Sequence, residues 1–186
     1  MGYAIVIDVS VARGAGTSGK PQPEACRQAL AAVRDFGHRV AMSNEVQGEW
    51  MKLWNGQNGM PRPYASLIAI QWLKDMRSSG KVDDIVLEKN SALRQRCLLG
   101  LQQNHQFAPS VEPVTKDFHL AETALKSDKR VLSLDHRMFN HLHNLQEIAN
   151  EVCQVMWVDP VINPTVVWLK DEAPDTLAFH VCNLQE

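Results

Sequence analysis

The strongest constraint on the fold is an alternation of short apolar segments with longer segments of helical periodicity. The segment YAIVIDV, near residues 3–9, is a continuous apolar run typical of a strand that is buried on both faces. Three later segments are also predicted to be strands: HRVAMS (38–43), RVLSLD (130–135) and CQVMWVDP (153–160). Because helical segments separate these strands, the pattern predicts an α/β fold with a parallel sheet and right-handed crossovers.

Helical spacing of apolar residues, together with capping residues, predicts the elements between the strands. One helix is expected to begin near Pro23 and to end before Gly37, and the others to span about 44–56, 64–79, 91–104, 116–129 and 136–151. The segment FAPSVEPV (107–114) is expected to be a loop. The chain is long enough for one domain, which we assign to residues 1–169, followed by a tail (170–186) that the pattern does not place.

Composition narrows the class of protein. No apolar run approaches the roughly 18–20 residues that span a bilayer, and the N-terminus lacks the features of a signal peptide. We therefore expect a soluble, cytoplasmic protein with no membrane partner. The four cysteines form no C-x-x-C pair and are expected to be reduced and mostly buried: Cys26, Cys97, Cys153 and Cys182. With a formal net charge of −2, contact with nucleic acid would need a local basic patch.

The segment GAGTSGKP (14–21) comes within one residue of the phosphate-binding consensus G-x-x-x-x-G-K-[ST]. Pro21 stands where the consensus requires a hydroxyl, and proline also lacks a backbone N–H to direct at phosphate. The segment is therefore interpreted as a flexible connection before a helix, not as a nucleotide site. Arg13 and Lys20, just beyond the first strand, are candidate contacts to a nucleic-acid backbone.

Acidic residues follow two of the predicted strands. Asp8 ends the first strand and Asp135 the third, and ligands bind at the carboxyl ends of the strands in an open parallel sheet. Each also has a simpler interpretation, as a strand-end turn former or as a helix N-cap. Glu45 and Glu49 share a helix face, where solvent ordinarily relieves their repulsion, and Asp117 opens a later helix. If these acids converge on one cleft, Mg²⁺ or Mn²⁺ is the expected counter-charge.

Four segments, in this order, resemble the PIN-domain nucleases. They are IVIDVSV (5–11), SNEVQGEW (43–50), KDFHLAETAL (116–125) and VLSLDHRMF (131–139), and VINPTVVWL (161–169) follows them. The match extends from about residue 3 to residue 169, which is nearly the whole chain. The resemblance implies a three-layer α/β/α sandwich around a central parallel sheet of four or five strands.

The resemblance also implies a chemistry, namely Mg²⁺- or Mn²⁺-dependent hydrolysis of phosphodiester bonds in RNA, most often single-stranded. Its catalytic residues and metal ligands would be the same four acids: Asp8, Glu49, Asp117 and Asp135. Glu45 is the weaker alternative to Glu49, while Ser10 and Ser133 would hold the aspartates by hydrogen bonds. A metal at these acids would neutralise the charge of the phosphodiester and activate a water. Similar proteins include toxin ribonucleases of bacterial toxin–antitoxin pairs, so an antitoxin partner and a homodimer are further expectations.

Two other functions stay open at this point: a non-catalytic PIN-fold module that binds RNA or protein, and a Mg²⁺-dependent phosphohydrolase acting on small molecules. Phosphatases of the second kind usually carry a second aspartate two residues after the first, and Ser10 stands at that place. His136, next to Asp135, is a candidate substrate contact. The other histidines lack the i, i+4 spacing of a zinc-binding pair on one helix, and His119 is expected to be structural.

Overall fold

The computed structural model describes residues 2–16, 19–55, 66–89 and 91–183. Within these ranges the strands are β1 (Ala4–Ile7), β2 (Arg39–Ser43), β3 (Val82–Ile85), β4 (Arg130–Leu132) and β5 (Met156–Val158). The α-helices are α1 (Val9–Gly14), α2 (Pro21–Asp35), α3 (Asn44–Asn55), α4 (Leu67–Ser78), α5 (Ala92–Gln103), α6 (Val111–Leu125), α7 (His136–His143) and α8 (Thr165–Lys170). Short 3₁₀-helices span His105–Ser110, Asn150–Gln154 and Leu177–Phe179. None of the described helices combines the length and apolarity needed to cross a bilayer.

The strands form one parallel sheet in the order β3-β2-β1-β4-β5. β1 lies at the centre, where Ile5 pairs with Val40 of β2 on one side and with Arg130 of β4 on the other. All four residues of β1 are buried, as expected for an apolar strand covered on both faces. The prediction of a parallel α/β sandwich is therefore confirmed, with helices flanking the sheet.

The order of the strands determines where a ligand can bind. From β1 the chain runs outward to β2 and β3, then returns across the sheet to β4 and β5. Because parallel crossovers are right-handed, connections running in opposite directions cover opposite faces of the sheet. On one face α6 packs across β1, β2 and β4, while α2 packs with α1, α4 and α8. β1 and β4 are neighbours, but the connection that follows β1 leads toward one edge of the sheet and the connection that follows β4 leads toward the other. At this reversal point a crevice is expected at the carboxyl ends of the two strands.

Among the strands and α-helices described, β3, α1 and α8 were not predicted. β3 lies between two predicted helices (64–79 and 91–104), in a segment to which no element was assigned. Its sequence, VDDI, contains two aspartates, and as an edge strand it needs less apolar sequence than a central one. α1 occupies residues expected to be the end of a strand and a loop. The strand ends earlier because Asp8 caps α1, accepting a hydrogen bond from the Ser10 backbone N at 3.3 Å.

Two helix boundaries also differ from the prediction. α6 begins at Val111, inside the expected loop, and Pro113 is accommodated in its first turn, where no intrahelical N–H bond is required. α7 ends at His143 rather than near residue 151, and the turns that follow bury Leu145 and Ala149. The predicted helix ends at Gly56 and Tyr64 lie outside the described residues.

The part of the C-terminal tail that is described packs against the edge strand β5. His180 forms an antiparallel bridge with Met156, and the Val181 backbone N donates to the Val155 carbonyl at 3.0 Å. Phe179 packs edge-to-face on Trp168 of α8, with ring centroids 5.7 Å apart. The tail therefore covers an edge that would otherwise present unpaired backbone groups.

The tail also corrects the prediction for the cysteines. Cys26 and Cys97 are free and buried, as expected, but Cys153 and Cys182 form a disulfide across a sequence separation of 29 residues. Nothing in their spacing indicates this pair, because only the folded tail brings Cys182 beside Cys153.

We expect the Cys153→Ala/Cys182→Ala variant to lose about 3–4 kcal/mol of unfolding free energy, because the disulfide restricts the unfolded chain. The melting temperature should fall by roughly 10 °C. A reducing agent should lower the melting temperature of the native protein and leave that of the variant unchanged. Four alkylatable thiols in the denatured, unreduced native protein would show that the pair does not form.

Candidate active site

A polar cleft of about 270 Å³ lies at the carboxyl ends of β1 and β4, which is the reversal point of the sheet. Its lining residues are Asp8, Val9, Ser10, Arg13, Glu49, Lys52, Lys116, Asp117, Leu120 and Asp135. The four acids predicted from the sequence all line this cleft, although they come from four separate segments of the chain. Glu45, the weaker alternative, is exposed and does not line it.

Asp8 is the most buried of the four acids, with a relative exposure of 5%. Its Oδ2 accepts hydrogen bonds from the hydroxyls of Ser10 and Ser133, both at 2.5 Å. The same hydroxyls also accept hydrogen bonds from the segment that follows β4. Ser10 Oγ accepts from the Leu134 backbone N, and Ser133 Oγ accepts from the Asp135 backbone N, each at 3.0 Å. The two serines therefore hydrogen-bond to Asp8 and also join the end of β1 to the segment after β4.

Burial raises the pKa of Asp8, because a low-dielectric environment disfavours the charged carboxylate. The hydrogen bonds from Ser10 and Ser133 oppose this effect, while the nearby charge of Glu49 adds to it. Burial likewise raises the pKa of Asp117, against the opposing charges of Lys116 and His119. Asp8 and Asp117 therefore bind a proton more readily than free carboxyl groups do, unless positive charge is supplied.

Asp135 caps a helix and also lines the cleft. Its Oδ1 accepts from the Met138 backbone N at 2.9 Å, which makes it the N-cap of α7, and it also lines the cleft. The N-cap bond fixes the orientation of the carboxylate, so the capping role and a binding role are compatible.

The closest grouping of candidate ligand atoms joins Glu49 and Asp117 to His119. One carboxylate oxygen of each acid and one ring nitrogen of His119 all lie within 4.8 Å of one another. Asp8 and Asp135 line the same cleft but do not belong to this group. The predicted ligand set therefore lacked a residue that the structure places among the acids.

His119 is buried, with a relative exposure of 4%, and its Nε2 lies 3.4 Å from Glu49 Oε2. Its Nδ1 lies 3.2 Å from the Lys116 carbonyl, to which it donates. Burial disfavours the protonated ring, but the interaction with Glu49, the Lys116 carbonyl and the charge of Asp117 outweigh burial and raise the pKa of His119. The sequence contained no signal for this role, because residues two apart on a helix do not share a face.

The candidate substrate contacts predicted from the sequence lie in three different places. Arg13 lines the cleft together with Lys52 and Lys116, which were not predicted. Lys20 is exposed at the start of α2 and does not line the cleft. His136 lies in a neighbouring pocket, where its Nε2 is 2.7 Å from Asp159 Oδ2.

The donor set of the cleft fits a divalent cation. Carboxylate oxygens suit Mg²⁺ and Mn²⁺, and the imidazole of His119 shifts the preference toward a transition metal such as Mn²⁺. A cation would also offset the desolvation by burial, and the smaller repulsion from neighbouring carboxylates, that raise the pKa values of Asp8 and Asp117.

Comparisons with protein-family models, with curated proteins and with solved structures find no match for this chain. The geometry of the cleft and the sequence motifs that supply its residues are therefore the evidence that bears on function.

The Ser133→Ala variant is expected to lose about 1–3 kcal/mol of unfolding free energy at neutral pH, because it removes a donor from the buried Asp8 carboxylate. Urea denaturation measures this loss. The matched control is Ser78→Ala, which removes an exposed hydroxyl and should change stability by no more than about 0.5 kcal/mol. Equal effects of the two substitutions would contradict the anchoring role of Ser133.

The stability of an Asp8→Asn variant should depend on pH in a defined direction. Because burial raises the pKa of Asp8 above its unfolded value of about 3.9, protonated Asp8 stabilises the fold below that value. This contribution is lost as pH rises through the folded pKa. The asparagine side chain of the variant carries no charge at any pH, so the variant does not lose this contribution. The unfolding free energy of the variant minus that of the native protein should therefore be larger at about pH 7 than at about pH 4. A difference in unfolding free energy that does not change with pH would refute the raised pKa.

Proposed function

We propose that the protein is a metal-dependent ribonuclease that hydrolyses phosphodiester bonds at this cleft. One observation carries the proposal: Asp8, Glu49, Asp117 and Asp135 come from four distant segments and line a single cleft at the reversal point of a parallel sheet. Carboxylates that share one cleft, with Asp8 buried among them, are unfavourable without a counter-charge, and a bound cation would supply that charge. The motif resemblance to PIN-domain nucleases is consistent with the same reaction.

The residues of the cleft are proposed to have two roles, which are binding of a divalent cation and transfer of a proton. A bound divalent cation supplies charge neutralisation and acidifies water. Glu49, Asp117 and His119 would hold it, since their ligand atoms are already grouped. Asp8, fixed by two hydroxyls, provides an oriented negative charge beside them. We assign acceptance of the proton of the attacking water to Glu49, whose Oε2 lies 3.4 Å from His119 Nε2. The bond between phosphorus and the departing ribose oxygen breaks, and that oxygen takes up a proton from solvent.

RNA is the proposed substrate because the cleft combines acidic side chains with basic side chains, which can contact a phosphate backbone. Arg13, Lys52 and Lys116 line it, and their side chains can position the phosphates that flank the scissile bond. Single-stranded RNA suits a concave site of this size better than a rigid duplex does. An antitoxin partner and a homodimer are further proposals, supported by the motif resemblance alone. A cytoplasmic location is also proposed, from the composition of the sequence. A structural disulfide is uncommon in the cytosol, so the oxidation state of Cys153 and Cys182 in cells tests the proposed location.

The native protein is expected to cleave a mixed single-stranded RNA in the presence of Mn²⁺ or Mg²⁺ and to lose this activity with a chelator. Asp8→Asn and Asp117→Asn should each reduce the rate by at least about 100-fold, because each removes a charge from the cleft. Cleavage is followed by gel electrophoresis of labelled RNA, and circular dichroism checks that the variants fold.

Asp171→Asn is the matched control, since Asp171 is exposed at the end of α8, and it should cleave at the native rate. Hydrolysis of a small phosphomonoester without cleavage of RNA would support the phosphohydrolase instead. Metal-independent RNA binding without cleavage would support a binding module. Equal activity in the native protein and Asp8→Asn would remove the cleft from the mechanism.

A further inference from the structure

We infer that a second pocket, next to the acidic cleft, binds a single nucleobase of the RNA strand and sets the sequence preference of cleavage. The inference deepens the proposed function and depends on it for the identity of the strand. The base pocket, as we name it, has a volume of about 180 Å³ and is lined mainly by His136, Phe139, Asn140, Asp159, Ile162 and Asn163. This volume is below the roughly 300–1,000 Å³ of sites that enclose drug-sized ligands, so it suits one flat ring.

The polar groups of the base pocket are held by a buried carboxylate. Asp159 follows β5 and has a relative exposure of 5%. Its Oδ2 lies 2.7 Å from His136 Nε2, and its Oδ1 accepts from the Val161 backbone N at 2.6 Å. Its backbone N donates to Asn163 Oδ1 at 2.8 Å. These bonds orient His136 and Asn163 before any ligand arrives, which lowers the cost of binding.

The same bonds determine which atoms a ligand meets. Since His136 Nε2 donates to Asp159, the neutral ring offers Nδ1 as an acceptor. Since Asn163 Oδ1 accepts from the backbone, its amide group offers Nδ2 as a donor. The exposed amide of Asn140 provides both kinds of atom. A pocket with a fixed acceptor, a fixed donor and an adaptable amide matches the mixed hydrogen-bonding edge of a nucleobase.

The remaining lining favours a base over a phosphate. Phe139 and Ile162 supply aromatic and aliphatic surface, on which the face of a base packs well. The buried Asp159 carboxylate, in contrast, repels an anion placed among these residues. The phosphate-binding function therefore belongs to the cleft, and the base pocket suits the uncharged part of a nucleotide.

The two sites are close enough to hold parts of one strand. Asp135 lines the cleft and His136 lines the base pocket, and consecutive Cα atoms are about 3.8 Å apart. A shallow groove lined by Ser10, Leu134, Asp135, His136 and Arg137 extends between them. Exposed Arg137 can contact the backbone along this groove. A phosphodiester in the cleft thus places a neighbouring base at the pocket.

The first test measures binding without catalysis. With a chelator present, the four nucleoside 5′-monophosphates and ribose 5-phosphate, which lacks a base, are titrated into the native protein and followed by NMR. At least one nucleotide should bind about tenfold more tightly than ribose 5-phosphate and shift the His136 ring signals. Asn163→Ala and Asn140→Ala should each reduce this preference, and Asn140, an exposed residue, can be replaced without risk to the fold.

Matched controls are His105→Ala and Asn150→Ala, which replace exposed residues outside the pocket and should keep the preference of the native protein. Equal affinity for ribose 5-phosphate and all four nucleotides would overturn the base pocket. So would a base preference that survives in both Asn163→Ala and Asn140→Ala.

The second test separates this inference from the proposed function. Oligoribonucleotides that carry one abasic residue at successive positions around the cut are cleaved with Mn²⁺. At one position the abasic residue should slow the native protein about tenfold and leave the rate of Asn163→Ala unchanged. Cleavage that is insensitive to every abasic position would overturn the base pocket and leave the ribonuclease in place. Base-dependent nucleotide binding without cleavage of any RNA would retain the pocket and refute the ribonuclease.

Discussion

The arrangement of the site depends on one interaction, the contact of the buried Asp8 carboxylate with the hydroxyls of Ser10 and Ser133. Asp8 ends the central strand and caps α1, while Ser133 follows β4, so the contact joins the two strands at the reversal point of the sheet. Each hydroxyl also accepts a backbone N–H from the segment that leads to Asp135. The hydrogen bonds of Asp8 therefore help to position Asp135.

This contact keeps a charge in a place where burial disfavours it. The raised pKa values of Asp8 and Asp117 have a common cause, namely desolvation of carboxylates within one cleft. His119 partly compensates, since it faces Glu49 and its own pKa is raised by that neighbour. The negative charge of the cleft is therefore only partly balanced by its own residues, which is common in sites that bind a cation or a reacting group.

Much of the fold could be predicted, and the failures have physical reasons. β1 was recognisable because a fully buried strand requires a continuous apolar run, whereas β3 was not, because an edge strand tolerates aspartates. The boundary of α1 was missed because an aspartate at a strand end can either extend the strand or cap a helix. The tail could not be placed, since it is ordered by contacts with β5 and by the Cys153–Cys182 disulfide.

The sequence by itself determined the fold class through its local periodicity, and its motif resemblance to PIN-domain nucleases indicated Asp8, Glu49, Asp117 and Asp135. Only the tertiary structure decided that these acids share a cleft, that His119 joins them and that Asp159 holds His136 beside it. The physical reason is distance along the chain. Local patterns report which face a residue occupies, whereas contacts between residues far apart in sequence depend on how the whole sheet and its helices pack.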